Sequence, residues 1–277
     1  MKNPQISVII STYNAVEWLK KTLAGYECQT FRDFEIVIAD DGSGPETEAF
    51  LKEFRERSEI PLTHVWHEDD GFQKTKILNK AILACKAEYI LMTDGDCIPR
   101  EDFLQVHYKL REKGYFLSGG YFKLPMDISE EISVEDIKAQ RCFDKQWLKK
   151  FGLKSSVKNK KLTAGKREGK VLNKLTPTNA SWNGHNSSGW KEDILAVNGF
   201  DERMKYGGED RELGERLFNY GIKSRQIRYS AICIHLDHAR GYVNQEAIDF
   251  NKEVRKKTKK EKLNYTEHGI KKSEKQA

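Results

Sequence analysis

Three observations predict an α/β fold with a mostly parallel central sheet flanked by helices. Residues 6–11 (ISVIIS) and 35–39 (EIVIA) are short β-branched runs. Between them Trp18, Leu19, Thr22 and Leu23 recur at helical spacing, which makes a strand–helix–strand unit. The alternation then continues, and strands that alternate with helices belong to a parallel, helix-covered sheet.

Taken in order, a helix is expected over about 46–57, a strand near 63–66, a helix over about 77–85 and a strand over 89–92. Pro99 stands where a further helix begins, with Phe103, Val106, His107 and Leu110 as its apolar stripe. From 145 to 174 the texture changes: 11 of the 30 residues are basic, one is acidic, and apolar positions thin out after Leu153. That segment reads as a mobile insertion. Order resumes over 180–200, followed by a helix over about 210–220, a strand over about 227–234 and a closing helix from about Val243. Residues 1–250 are therefore expected to form a single domain carrying the 145–174 insertion, and 251–277 a Lys-rich C-terminal helix or tail.

The chain carries 48 Lys and Arg against 42 Asp and Glu, a net charge of +6. Residues 251–277 hold 10 of the basic and 4 of the acidic side chains, so the first 250 balance at 38 and 38. A balanced body argues against a general nucleic-acid-binding domain, whereas the basic tail suits an anionic membrane surface, polyanion attraction or plain solubility. No apolar run approaches the ~20 residues that span a bilayer, and the N-terminus lacks a signal-peptide pattern. A soluble, cytoplasmic protein is expected, with peripheral contact at the inner face of a membrane as the further expectation. Five scattered cysteines without a Cys-x-x-Cys pair fit a reducing compartment.

Ligands of an open parallel sheet bind beyond the carboxyl ends of its strands. The expected strands end at Ser11-Thr12-Tyr13-Asn14, Asp40-Asp41-Gly42-Ser43 and Thr93-Asp94-Gly95-Asp96, which brings hydroxyls and carboxylates to one edge. Each alone reads equally as a turn; the coincidence carries the weight. Asp94 and Asp96 follow an apolar strand, repel each other and lose hydration unless a cation or donors sit between them. An all-oxygen set suits Mg²⁺ or Mn²⁺, which bind substrate phosphates alongside one or two protein carboxylates. A second group is Gly199-Phe200-Asp201-Glu202 followed by Tyr206-Gly207-Gly208-Glu209-Asp210. Its paired glycines let a loop pass close to a ligand, while its acidic residues also read as a helix cap. A third group, Cys233-Ile234-His235-Leu236-Asp237-His238, lacks the further clustered ligands of a zinc site. A histidine assisting Mg²⁺ or Mn²⁺ is the better reading.

These constellations, in this order, resemble the family 2 glycosyltransferases of the GT-A fold over about residues 5–240. Residues 6–14 resemble the family's opening strand, 29–36 the run before its second strand, and Asp94-Gly95-Asp96 the DxD position. Residues 199–202 with 207–210 are similar to a segment shared by β1,4-galactosyltransferases, polypeptide GalNAc-transferases and chondroitin-type polymerases. The resemblance implies that Thr12 and Tyr13 line the base and ribose pocket, that Asp41 hydrogen-bonds the base, and that Asp94 meets the ribose or metal. It implies Asp96 and His238 as metal ligands with His235 as second choice, Asp210 as catalytic base, and Glu209 as the holder of acceptor hydroxyls. Residues 67–72 with Lys76 and Asn79 resemble a donor-side loop and helix start, which places Lys76 near the diphosphate; it reads equally as a surface residue. Ser11 replaces a frequent Pro of the family and Tyr206 a common Trp.

The implied activity is metal-dependent, inverting transfer of a sugar from a nucleotide diphosphate donor, a UDP-sugar foremost. The acceptor is a hydroxyl of a carbohydrate or lipid-linked glycan in polysaccharide biosynthesis. Inversion needs one base, and the sequence offers no clear nucleophile for a retaining route. Two alternatives stand beside it. A sugar nucleotidyltransferase wants a Gly- and Arg/Lys-rich N-terminal loop, which residues 6–14 lack; an inactive carbohydrate-binding protein has no use for Asp94, Asp96, Glu209 and Asp210 together.

Overall fold

The computed structural model describes residues 3–239, 241 and 243–272. The chain opens with β1 (Ile6–Thr12), α1 (Val16–Glu27), β2 (Phe34–Asp40), α2 (Pro45–Arg57), β3 (Leu62–Trp66), α3 (Lys74–Ala84) and β4 (Tyr89–Asp94). Next come β5 (Cys97–Pro99), α4 (Phe103–Leu110), β6 (Tyr115–Ser118) and β7 (Gly120–Lys123). Short helices follow: α5 (Met126–Glu131), α6 (Val134–Lys138), α7 (Lys145–Lys150), α8 (Lys160–Thr163) and α9 (Lys166–Leu175). The chain continues through β8 (Ser187–Trp190), α10 (Lys191–Ala196), α11 (Glu209–Tyr220), β9 (Lys223–Gln226), β10 (Ile232–His235) and α12 (Gln245–Lys260).

β1 and β2 are buried almost throughout, as strands covered on both faces must be. The seven-stranded sheet runs β3-β2-β1-β4-β8-β6-β9, and only β8 runs against its neighbours. Leu19, Leu23 and Tyr26 of α1 with Phe50, Leu51 and Phe54 of α2 pack in one core, on one set of strand side chains. Ile77, Leu78, Ala81 and Ile82 of α3 join Leu213 and Leu217 of α11 in a second core on the alternate set. Truncating a fully buried ring such as Phe54 to Ala costs about 3–5 kcal/mol. The mostly parallel, helix-flanked sheet is thus present.

Three expectations need correction. Of the strand expected over 227–234 only 232–234 are strand, the start of β10, while β9 ends before it at Gln226 in the other sheet. The Ser230 and Ala231 amides both bond the Ile227 carbonyl, a turn that carries the chain from β9 to β10. Pro99 closes β5 instead of opening a helix, and α4 begins at Phe103. Residues 145–174 are folded into short helices, not a loose insertion. Leu148 is fully buried, and Trp147, Phe151, Leu153 and Leu162 pack on a third core with Ile98, Phe122 and Ile234. A handful of apolar residues among many lysines is enough to dock the segment.

A second sheet, β5-β10-β7, pairs β10 antiparallel to β5 with His235 opposite Cys97. That register carries the histidine segment to the end of the Asp94-Gly95-Asp96 turn. Residues 251–272 are also part of the body: Arg255 pairs with Glu215 at 2.5 Å, Thr258 Oγ1 bonds Glu212 Oε1 at 2.9 Å, and Asn198 Nδ2 bonds the Thr266 carbonyl at 2.7 Å. Residues 273–277 of the expected tail lie outside the described residues.

Candidate active site

Strand register builds the first wall of the site. Ser11 of β1 lies beside Asp94 of β4, and its hydroxyl donates to Asp94 Oδ1 at 2.8 Å. Lys74 Nζ donates to the same oxygen at 2.6 Å. Burial opposes the charge of Asp94, but Lys74, and behind it His185 and Ser11, hold its carboxyl well below the usual range. Burial likewise opposes the Lys74 ammonium, and the charges of Asp94 and Glu209 outweigh it, raising its pKa. Lys74 is therefore a fixed cation between both groups of carboxylates.

The second wall is the start of α11. Gly207 and Gly208 adopt φ of +115° and +99°, which only glycine takes readily, and Gly208 is the N-cap. A Cβ on either would press on α12, at 3.0 Å from Ile248 Cγ1 or 3.2 Å from Arg255 Cδ. The loop thus turns sharply beneath α12 and delivers Glu209 and Asp210 to the helix N-terminus, whose dipole favours them. Glu209 Oε2 accepts from the Gly207 amide at 2.9 Å, and Asp210 Oδ2 from the Gly184 amide at 3.1 Å. Burial foremost, and then the charge of Asp210, push Glu209 up to about 7. Burial raises Asp210 as well, against its backbone bonds and Lys74.

The third wall joins the turn after β4 to the end of β10. Asp96 Oδ2 lies 3.0 Å from His238 Nε2 and 3.6 Å from His235 Nε2, and the two imidazoles stack at 5.7 Å. His235 Nδ1 faces the Leu236 carbonyl at 2.6 Å and His238 Nδ1 the Ala239 carbonyl at 2.8 Å. With Nδ1 donating, Nε2 presents a lone pair toward the carboxylate. Oxygen and nitrogen lone pairs converging in this way fit Mg²⁺ or Mn²⁺. Cys97 Sγ is near enough to join the group, but burial raises its thiol well above the ordinary value, which disfavours the thiolate a soft metal needs.

Thr12, Tyr13, Asp41, Asp94, Asp96, Glu209, Asp210, His235 and His238 all line one cleft of about 1930 Å³. Thr12 Oγ1 is buried there without a hydrogen-bond partner among the described residues. Tyr13 stands at the mouth, its hydroxyl donating to Asp69 at 2.8 Å. Asp41 meets His67 at 2.8 Å and accepts from the Gln73 amide at 3.0 Å, leaving further lone pairs on both oxygens.

Lys76 does not line this cleft; Lys74 does. The helix begins at Lys74 and not near Ile77, and two residues turn a side chain by about 200° around a helix axis. Sequence reasoning also missed His185, which burial lowers to about 4, and Gly184, whose amide reaches Asp210. The run Asn183-Gly184-His185-Asn186 carries no periodic signal; only its polarity beside a buried Trp182 marks it.

Among solved proteins the same architecture recurs in GT-A glycosyltransferases. A mannosyltransferase from Pyrobaculum calidifontis, solved with GDP-Man and Mn²⁺, superposes with a TM-score of 0.57 at 18 % identity, over 87 % of this chain and 59 % of that one. Residues 1–349 of S. aureus TarS, solved with UDP-GlcNAc, superpose at 0.58 and 14 %, over 91 % of this chain and 65 % of that one. These likenesses define the fold. The chain belongs to glycosyl transferase family 2, whose profile matches residues 7–162; residues 174–239 match the profile described as the N-terminal domain of galactosyltransferase. Chondroitin synthase of Escherichia coli is 26 % identical over 80 % of this chain, and hyaluronan synthase of Pasteurella multocida 25 % over 94 %. The chain spans 33 % and 27 % of the length of those two relatives.

Proposed function

We propose that this chain transfers a sugar, with inversion, from a nucleotide diphosphate donor to a hydroxyl of a growing surface glycan. The observation that carries the reading is one cleft holding the Asp96–His235–His238 group on one wall and Glu209-Asp210 on another, with the Lys74–Asp94 pair between. A UDP-sugar is the first choice of donor, in line with the UDP-GlcNAc bound by TarS. The names of the chondroitin and hyaluronan synthases support a glycan acceptor.

Thr12, Tyr13 and Asp41 hold base and ribose, and Asp94 orients Lys74 toward the diphosphate. Asp96 and His238, with His235, hold Mn²⁺ or Mg²⁺, which when bound neutralises charge on the diphosphate. Asp210 takes the proton of the attacking hydroxyl, its raised pKa making it a better base than an exposed aspartate. Glu209, near half protonated at neutral pH, both donates to and accepts from acceptor hydroxyls. One base serves one displacement, hence inversion.

Thermal stabilisation by a panel of nucleotide sugars with Mn²⁺, followed by nucleotide release, tests this: a ligand at 100 times its Kd adds about 2.7 kcal/mol. No stabilisation by any nucleotide sugar overturns it. No described helix is long and apolar enough to cross a membrane. The exposed lysines 256, 257 and 260 of α12 support contact with an anionic inner membrane face. Reversing those three charges, and not deleting the docked 251–272 segment, is the test, read by sedimentation with anionic vesicles.

A further inference from the structure

A second groove of about 1170 Å³ opens beside the cleft and meets it at Tyr121, His185, Asp210, Arg211 and Arg255. Its floor is β7, and its sides are the 157–161 and 178–181 segments and the turn between β9 and β10. Of the cations that line it, Lys123 is paired with Asp237 at 2.9 Å, and Arg255 and Lys259 both reach Glu215. Lys158, Lys161, Arg211 and Arg228 have no carboxylate within ion-pairing distance among the described residues. Among the described residues Lys161 Nζ donates to the Tyr121 carbonyl alone, at 2.7 Å. Arg228 reaches Thr178 Oγ1 at 3.3 Å, and its Nε is buried without a hydrogen-bond partner among the described residues. Burial first, and then the charge of Arg228, lower Lys161 to about 8, so these cations repel each other in a confined space.

We propose that this groove is an acceptor subsite built for an anionic group, a sugar carboxylate or a phosphate ester, which Lys161, Arg228 and Lys158 hold while the adjoining hydroxyl faces Asp210. The proposal rests on the reading of Asp210 as the base, and it names the chemical class of the acceptor. Planar, fork-like Arg228 suits either oxyanion, and an anion delivered with the acceptor supplies the countercharge that the protein leaves out. The 145–174 segment, which brings Lys158 and Lys161, thereby becomes a specificity element.

Three matched disaccharides, ending in glucose, glucuronate or glucose 6-phosphate, are titrated into the full chain loaded with UDP and Mn²⁺. At least one anionic disaccharide should bind about tenfold or more tightly than the neutral one, the scale of a charge-assisted hydrogen bond, and less so at high salt. Whichever anion wins identifies the source. Lys161→Gln and Lys158→Gln should each reduce the preference and leave the neutral affinity unchanged; Lys158 is exposed, so its variant keeps the fold. Equal binding of all three, or a preference that survives both substitutions, overturns the proposal. Binding of UDP and Mn²⁺ by the wild-type chain, recorded first, reports separately on the proposed function.

Discussion

Asp96 Oδ2 and His238 Nε2 face each other at 3.0 Å, and the opposite nitrogen of His238 is turned to a backbone carbonyl. Two lone pairs at that distance need a cation or a proton between them. Asp96→Ala should abolish Mn²⁺-dependent nucleotide binding without unfolding the protein, because it removes a charge from a cleft wall and leaves the core intact. Isothermal titration of UDP with and without Mn²⁺ measures this. Full affinity in the variant with Mn²⁺ present would refute the assignment.

Lys74 and Lys76 make a paired test. Lys74→Met removes the cation bonded to Asp94 at 2.6 Å and strands a largely buried carboxylate. Complete burial would make that about 3–5 kcal/mol, and the partial exposure of both side chains lowers it. Nucleotide affinity should fall at least tenfold. Lys76→Met should change stability by no more than ~0.5 kcal/mol and leave nucleotide affinity alone. Thermal melts and UDP titrations of both variants decide it; equal losses would mean that the helix start, and not one ammonium, matters.

The contrast shows what the sequence could and could not carry. β1, β2 and β4 were legible because strands buried on both faces leave unbroken apolar runs, and Asp94-Gly95-Asp96 stands out against such a run. The strands β5, β6, β7 and β9 have three or four residues each and no period to detect. The resemblance puts Lys76 at the diphosphate, but the helix begins at Lys74, three residues before its expected start, and this winding turns Lys74 inward instead. The 145–174 segment docks through Leu148, Phe151, Leu153 and Leu162, too sparse to overrule its basic composition. Its fold depends on the surface formed by β7 and β10, which no local pattern announces.

Asp210→Asn should keep nucleotide binding and lose turnover by about 10²-fold or more, the scale of a positioned base. Rates within a few-fold of wild type would shift that role to Glu209.

Glu209 titrates up at about 7 in the folded chain against 4.5 when unfolded. Its protonated form is thus favoured by folding, so its contribution to stability is complete below about 4.5 and is lost as pH rises toward and through 7. The loss has a limit of about 1.4 kcal/mol per pH unit. Glu209→Gln should flatten the decline, giving a melting temperature above wild type at pH 8 and close to it at pH 4. Parallel melting curves of wild type and variant across that range would expose a different titrating group.

Asn251 of α12 is fully buried, and its Nδ2 reaches the carbonyls of Lys205, Tyr206 and Gly207 at 2.9, 3.3 and 3.4 Å. One side chain therefore fixes the backbone immediately ahead of Glu209 and Asp210. Asn251→Ala leaves those carbonyls without their donor, a cost of about 1–3 kcal/mol. At about 2–4 °C per kcal/mol for a chain of this size, the melting temperature should drop by several degrees. Because the displaced loop carries the proposed base and acceptor-holding residues, acceptor-dependent kcat/KM should fall at least tenfold while UDP affinity, which the proposed function assigns to other walls of the cleft, stays within a factor of two or so. Asn251→Asp, which aims oxygens at three carbonyls, should be worse on both counts. A variant that melts earlier yet keeps its acceptor kinetics would reduce Asn251 to a packing residue and α12 to a buttress without influence on the reacting groups.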